Sequence, residues 1–168
     1  MPELPEVETV RRGLEKLVKG LTIQSAHDLH PRALKPESIA PLKSINDAKI
    51  TGLNRRGKFL WFELNRPQVL VAHLGMSGQF LIHEKNRPAA KHVRAKFELS
   101  KNVKKRELVF NDQRTFGWVS VEELSDGVPT SAQHIAKDPF DPKFNRDETI
   151  NKFAKRNIRI KTALLNQE

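Results

Sequence analysis

The most reactive stretch of this chain is its first eight residues, Met1-Pro2-Glu3-Leu4-Pro5-Glu6-Val7-Glu8. Removal of Met1 makes Pro2 the N-terminus, with a secondary amine free of any peptide bond. An α-amine has a pKa of about 7.7–8.0, so part of it is unprotonated near neutrality. Glu3 stands beside it as an acid. A nucleophile next to a proton-transfer group is what covalent catalysis requires. The same string also reads as a helix start, with Pro5 in the first turn and Glu6 and Glu8 near the positive end of the dipole. The two readings are compatible, since a helix beginning just after Pro2 would fix its position.

Three further blocks carry side chains of interest. Arg56-Gly57-Lys58 puts a cation at the start of an apolar strand. Gly75-Met76-Ser77-Gly78 is a tight turn that would present Met76 outward. Asp112-Gln113-Arg114-Thr115-Phe116-Gly117 groups an arginine with an aromatic ring. Taken singly, these residues have plain structural readings. Lys58 is a strand-edge cation, Met76 and Phe116 are core, and Arg114 is a surface ion-pair partner of Asp112.

The elements that must position them follow from periodicity. Residues 6–19 read as an amphipathic helix, with Val7, Val10, Leu14 and Leu17 on one stripe and Gly20 closing it. Short strands follow: 22–29, 45–53, 58–64, 69–74, 79–83, 93–99, 107–111 and 117–121. Asn65-Arg66-Pro67 is a turn, and Lys101-Asn102-Val103-Lys104-Lys105 is a hairpin tip. Regular short strands with turn signals predict two packed antiparallel sheets. From about Ser131 the character changes, through a loop at Asp138-Pro139-Phe140-Asp141-Pro142 to a helix over 147–156 capped by Asp147. A last helix starts at Ile160 and stops at Glu168 without a C-cap glycine or a basic last turn, which reads as a truncated fragment. The predicted fold is α+β. It is a two-layer antiparallel β-sandwich with an N-terminal helix over 1–130, then a loop and the start of a helical domain over 131–168.

Composition narrows the function. Lys and Arg number 30 against 20 acids, a formal charge of +10. The run from Glu84 to Arg106 holds nine basic residues (Lys85, Arg87, Lys91, Arg94, Lys96, Lys101, Lys104, Lys105, Arg106) against Glu84 and Glu98. An anionic partner is implied, with nucleic acid first. Nine Phe and two Trp argue for a packed interior. No cysteine occurs, so no disulfide or thiolate metal site can form within this chain. No stretch reads as a membrane span or a signal-peptide core, so no membrane association is expected and a cytoplasmic setting fits.

The opening Met-Pro-Glu-Leu-Pro-Glu-Val-Glu-Thr-Val-Arg-Arg-Gly-Leu, the three blocks above in their order, and Ile160-Lys161 together resemble the formamidopyrimidine-DNA glycosylase family. These are bacterial base-excision repair enzymes related to endonuclease VIII. The resemblance spans nearly the whole chain. It implies a DNA glycosylase and abasic-site lyase acting on oxidised purines such as 8-oxoguanine and formamidopyrimidines, with damaged double-stranded DNA as partner. A monomer in the bacterial cytoplasm, associated with the nucleoid, is expected. Pro2 would form a Schiff base with the sugar. Glu3 would protonate the opening sugar ring, which requires it to keep a proton part of the time through burial or the neighbouring Glu6. Lys58 would bind the phosphate near the target sugar and serve as an acid in elimination.

A target base inside a duplex must be flipped out and its void filled. The resemblance gives that task to Met76, Arg114 and Phe116. It makes His92 and Arg156 DNA contacts and, more weakly, places Glu6 and Lys161 at the lesion pocket. His73 precedes the Met76 turn and is assigned no role. Some positions depart from the pattern. Where many members carry His-x-His, this chain has His92-Val93-Arg94; Lys96 replaces a usual Asp, and Gln113 a usual Pro. Members of the family continue into a helix–two-turn–helix domain, of which only the start is expected here over 131–168, and usually into a zinc finger, which is not expected within these 168 residues. No cofactor or metal is expected in the chain itself. The alternatives are an endonuclease VIII-like enzyme for oxidised pyrimidines, or a catalytically inactive DNA-binding fragment.

Overall fold

A computed structural model describes residues 2–84, 90–102, 104–139 and 141–166. Met1, Lys85 and Arg87 of the basic run, Val103 of the hairpin tip, Phe140 and the last two residues lie outside this set. The chain begins with a helix, α1 (Leu4–Val18), and continues through β1 (Thr22–Asp28), a one-turn 3-10 helix (Leu42–Ile45), β2 (Ile50–Arg56), β3 (Phe59–Leu64) and β4 (Gln68–His73). There follow β5 (Gln79–Glu84), β6 (Val93–Lys101), β7 (Lys104–Asn111), β8 (Trp118–Ser125), the short β9 (Val128–Pro129), α2 (Arg146–Ala154) and α3 (Ile160–Leu165).

The strands form two sheets, ordered β1-β6-β7-β5 and β2-β3-β4-β8-β9, and every paired strand is antiparallel. The expected sandwich is therefore present. Its core lies where alternate residues of the two sheets meet: Phe97, Leu108 and Phe110 from the first, Leu60, Phe62 and Leu70 from the second, all at most 1% exposed. Burial of each such side chain contributes on the order of 2 kcal/mol.

The helix α1 lies along this core and buries Val7, Leu14 and Val18. The predicted stripe named Leu17, which is instead 48% exposed. At about 100° per residue, Val18 points within roughly 20° of Val7, whereas Leu17 is turned away by roughly 80°. The helix also starts two residues earlier than its hydrophobic pattern suggests. Its first turn is held by the Glu3 N–H, which donates to Glu6 Oε2 at 3.1 Å.

Two other boundaries moved. The strand read over 45–53 begins only at Ile50. The 3-10 turn and the left-handed Asp47 (φ 62°) carry the chain into it. The cap of α2 is Asn145, not Asp147, with Asn145 Oδ1 accepting the Glu148 N–H at 3.0 Å. A side chain one residue before the helix reaches the free N–H groups, whereas Asp147 is already within the first turn. Both C-terminal helices are sparsely packed: α2 buries none of its residues, and Ile160, Leu164 and Leu165 of α3 are all at least 68% exposed.

Candidate active site and neighbouring loops

The N-terminus and Lys58 are distant in sequence and adjacent in space. Arg56 pairs with Phe59, so Gly57 and Lys58 form the two-residue turn of the β2–β3 hairpin. Gly57 takes φ +55°, and a Cβ there would stand 2.8 Å from Ile135 Cγ2, which explains glycine in the Arg-Gly-Lys block. The turn directs Lys58 to the start of α1, where its ammonium meets Glu3 Oε2 at 2.8 Å. Lys58 is largely buried, with a side chain 14% exposed. The half-buried Pro2 precedes Glu3 directly. The expected shielding of Glu3 is not found. Its side chain is 60% exposed, and its partner is a cation. Glu6 is spent on the Glu3 backbone N–H, so it braces the helix start and does not crowd the Glu3 carboxylate.

A charged bolt fixes this helix end. Glu8 accepts from Arg11 and Arg12 of α1 at 2.9 and 2.7 Å, and from Arg55 Nε of β2 at 3.0 Å. Arg55 continues to Asp138 at 3.2 Å, and Arg11 to the Leu53 carbonyl at 3.0 Å. The Arg11 hydrogen bond, against the cost of burial and with help from Arg12 and Arg55, lowers the Glu8 carboxyl to about 2. A lowered pKa means stability that is full above the unfolded value near 4.5 and is lost as the pH falls toward 2. Glu8→Gln should therefore destabilise the protein by on the order of 2 kcal/mol at pH 7 and flatten its stability between pH 5 and 2. Urea titrations across that range check it; an unchanged slope would show the bolt to be electrostatically idle.

The second group lies along the same end of the second sheet. Phe59, His73 and Trp118 face each other across β3, β4 and β8. His73 stacks on Trp118, with ring centroids 5.8 Å apart, and meets Phe59 at 5.2 Å. Its Nδ1 accepts the Gly75 N–H at 3.2 Å, which places the proton of the neutral ring on Nε2. Burial first, then the charges of Lys58 and Lys35, lowers the His73 pKa and keeps that ring neutral. Lys35 itself sits over Trp118 at 4.7 Å from the ring centroid.

This aromatic row carries two loops. The Leu74–Gly78 turn leaves β4, and the Asp112–Gly117 loop enters β8. They touch backbone to backbone: a Cβ on Gly75, whose φ is +59°, would lie 2.5 Å from Phe116 C and Gly117 N. Met76 and Phe116 project from this junction, 42% and 57% exposed, so neither is core. The Arg114 guanidinium lies over the Phe116 ring at 5.3 Å.

Nor is Arg114 a surface ion-pair partner of Asp112. Asp112 is fully buried. Its carboxylate accepts the Ser77 hydroxyl at 2.5 Å, the Gly117 N–H at 2.7 Å and the Arg114 backbone N–H at 3.2 Å. These bonds, with one from Thr115, outweigh burial and lower its pKa. Asp112 is the structural residue that sequence reasoning missed. An Asp opening a loop that returns to a Gly is the signal that pointed to it.

The remaining candidates divide. The carbonyl of half-buried His92 accepts the Asp112 N–H at 2.9 Å, which places it against the second loop. Arg156 lines a cavity of about 540 Å3 together with Arg56, His134, Lys152 and Phe153. Lys161 stands on the exposed side of α3 and does not line that cavity. The chain has no cysteine, and among the described residues no cluster of His, Asp or Glu is placed to share a metal ion. These residues do not fit a zinc site. No helix is long and apolar enough to cross a membrane among the described residues.

This geometry has relatives. Residues 1–119 match the model of the formamidopyrimidine-DNA glycosylase N-terminal domain. The chain is 45% identical over 182 residues to a formamidopyrimidine-DNA glycosylase of Corynebacterium glutamicum, covering 100% of this chain and 62% of that protein. It is 41% identical over 170 residues to that of a Nocardioides species, covering 99% of this chain and 58% of that protein. A crystal structure of Lactococcus lactis Fpg (MutM) with DNA containing N7-benzyl-Fapy-dG superposes with a TM-score of 0.82 at 31% identity, over 99% of this chain and 61% of that one. The chain thus spans about 60% of the length of the relatives it matches. By motif, by sequence along its whole length and by fold, this chain belongs to the formamidopyrimidine-DNA glycosylase family.

Proposed function

We propose that this chain is the catalytic part of a base-excision repair enzyme that removes oxidised purines from double-stranded DNA and cuts the strand at the resulting abasic site. The observation that carries this reading is spatial. The N-terminal Pro2-Glu3 pair, Lys58, and the exposed Met76, Arg114 and Phe116 share one end of one sheet, although 114 positions separate Pro2 from Phe116.

Phe116 and Met76 enter the duplex where the damaged nucleotide leaves it, and Arg114 bonds to the orphaned base. The Pro2 amine attacks the anomeric carbon of the flipped nucleotide. The N–C bond forms as the glycosidic bond breaks, and the base departs with its electron pair and takes up a proton. The Glu3 carboxylate takes the N–H proton that Pro2 sheds on forming the new bond and passes it to the ring oxygen as the sugar opens. Because the amine is secondary, the adduct is a fixed iminium cation. That cation acidifies the adjacent sugar proton, and its loss expels the 3′ phosphate by β-elimination. Lys58, paired with Glu3, holds that phosphate and supplies its proton. His92 and Arg156 contact the DNA backbone, and Glu6 and Lys161 border the lesion pocket. Residues 1–130 form the catalytic sandwich domain, and residues 131–168 begin a helical DNA-binding domain.

The test is chemical. The gene product at its natural length, with Met1 shown by mass spectrometry to be removed, is incubated with duplexes carrying 8-oxoguanine or thymine glycol and then borohydride. A covalent adduct forming faster with 8-oxoguanine is expected. Preference for thymine glycol would favour the endonuclease VIII-like alternative, and absence of any adduct would favour an inactive DNA-binding role.

A further inference from the structure

Arg94 lies on β6, outside the motif blocks, and none of the chemistry above uses it. Its side chain is half-buried beneath the Asp112–Gly117 loop. Arg94 Nε donates to the Asp112 carbonyl at 2.8 Å, and its Nη2 to the Gln113 carbonyl at 3.4 Å. On the other side of the same segment, the Asp112 carboxylate takes the Gly117 and Arg114 N–H groups. Ser77 closes the arrangement, since its hydroxyl donates to Asp112 Oδ1 and accepts the Arg114 N–H at 3.2 Å. The loop carrying Arg114 and Phe116 is thereby gripped through its carbonyls and its N–H groups at once, and tied to the turn carrying Met76. Thr115 is held at φ 57°, a conformation non-glycine residues seldom adopt and which persists only where the surroundings enforce it.

We propose that Arg94 is a positioning residue for base extrusion. With Asp112 and Ser77 it makes Met76, Arg114 and Phe116 a single preassembled wedge, so that loop order is established on folding and not on meeting DNA. This rests on the glycosylase reading and deepens it. Hydrogen bonds from a charged donor to two adjacent carbonyls define both the height and the tilt of the segment. Ordering such a loop during binding would instead subtract from the binding free energy. Arg94 touches neither Pro2 nor Lys58, so its effect should fall on filling the void and leave the chemistry alone.

The experiment compares two substrates for Arg94→Ala in the natural-length protein. One is a duplex with an intrahelical 8-oxoguanine, whose excision needs the void filled. The other is single-stranded DNA with a preformed abasic site, which has no void and no orphaned base. Excision from the duplex should fall about tenfold, as expected for two lost hydrogen bonds. Strand cleavage of the single-stranded substrate should stay within about twofold of wild type. Equal losses on both substrates, or none on either, would overturn the proposal. Should Arg94→Ala fail to fold, Ser77→Ala removes one hydroxyl from the same grip and is read against the same two substrates. Wild-type protein inert toward both would overturn the glycosylase reading, a result distinct from either outcome for the variant.

Discussion

Pro2→Gly should slow borohydride trapping on lesion duplexes by roughly 10²-fold, the scale associated with a poorly placed reacting group. The variant keeps an N-terminal amine, so the loss has two causes. Glycine lacks the ring that limits rotation of the nucleophile. Its primary amine also gives an imine that must bind a further proton to become cationic, whereas the proline adduct is a cation at every pH. The Glu3–Lys58 pair and α1 remain in place, because the helix is braced from Glu3 onward and by the Glu8 bolt. Single-turnover trapping with the variant measures the effect, and circular dichroism confirms that the fold is intact. A trapping rate equal to wild type would remove Pro2 from the mechanism.

Asp112→Ala should be the most damaging single change outside the N-terminus. It deletes the acceptor for the Ser77 hydroxyl and for the backbone N–H groups of Arg114 and Gly117, in a site with no solvent exposure. Stranding buried donors costs about 1–3 kcal/mol each. With partial relaxation, a total of about 3–5 kcal/mol is expected, or a fall in Tm of roughly 10 °C. The carboxylate's pKa is lowered on folding. Its contribution is therefore complete above the ordinary Asp value and lost as the pH falls through the folded value, so wild type and variant should converge in stability under strong acid. Thermal melts at pH 7 and at acid pH check both statements. A Tm loss under about 2 °C would show that the loops hold their shape without this carboxylate.

These effects differ in how far the linear chain announced them. Pro2 is a property of position one after trimming, and any reader of the N-terminus finds it. The alternation of Val93 through Leu99 and the apolar run from Phe59 to Leu64 made the strands legible, because a buried sheet face imposes its period on composition. Two packed sheets followed from the spacing of those runs. The helix face was read one residue short, with Leu17 named where Val18 is buried. Both are apolar, and the angle each makes with Val7 around the helix is what separates them.

What the sequence determined by itself is the set of local identities: a reactive amine, a glycine turn bearing Lys58, two loops bearing Met76, Arg114 and Phe116, and strands to hold them. Tertiary structure alone decided their partners. Glu3 faces the Lys58 cation and is not shielded by burial, because a hairpin turn 55 residues away folds against α1. Asp112 looks like a surface loop residue until Ser77 and Gly117 close around it. Burial and charge pairing depend on which segments meet across the sandwich, and local propensity carries no record of those meetings.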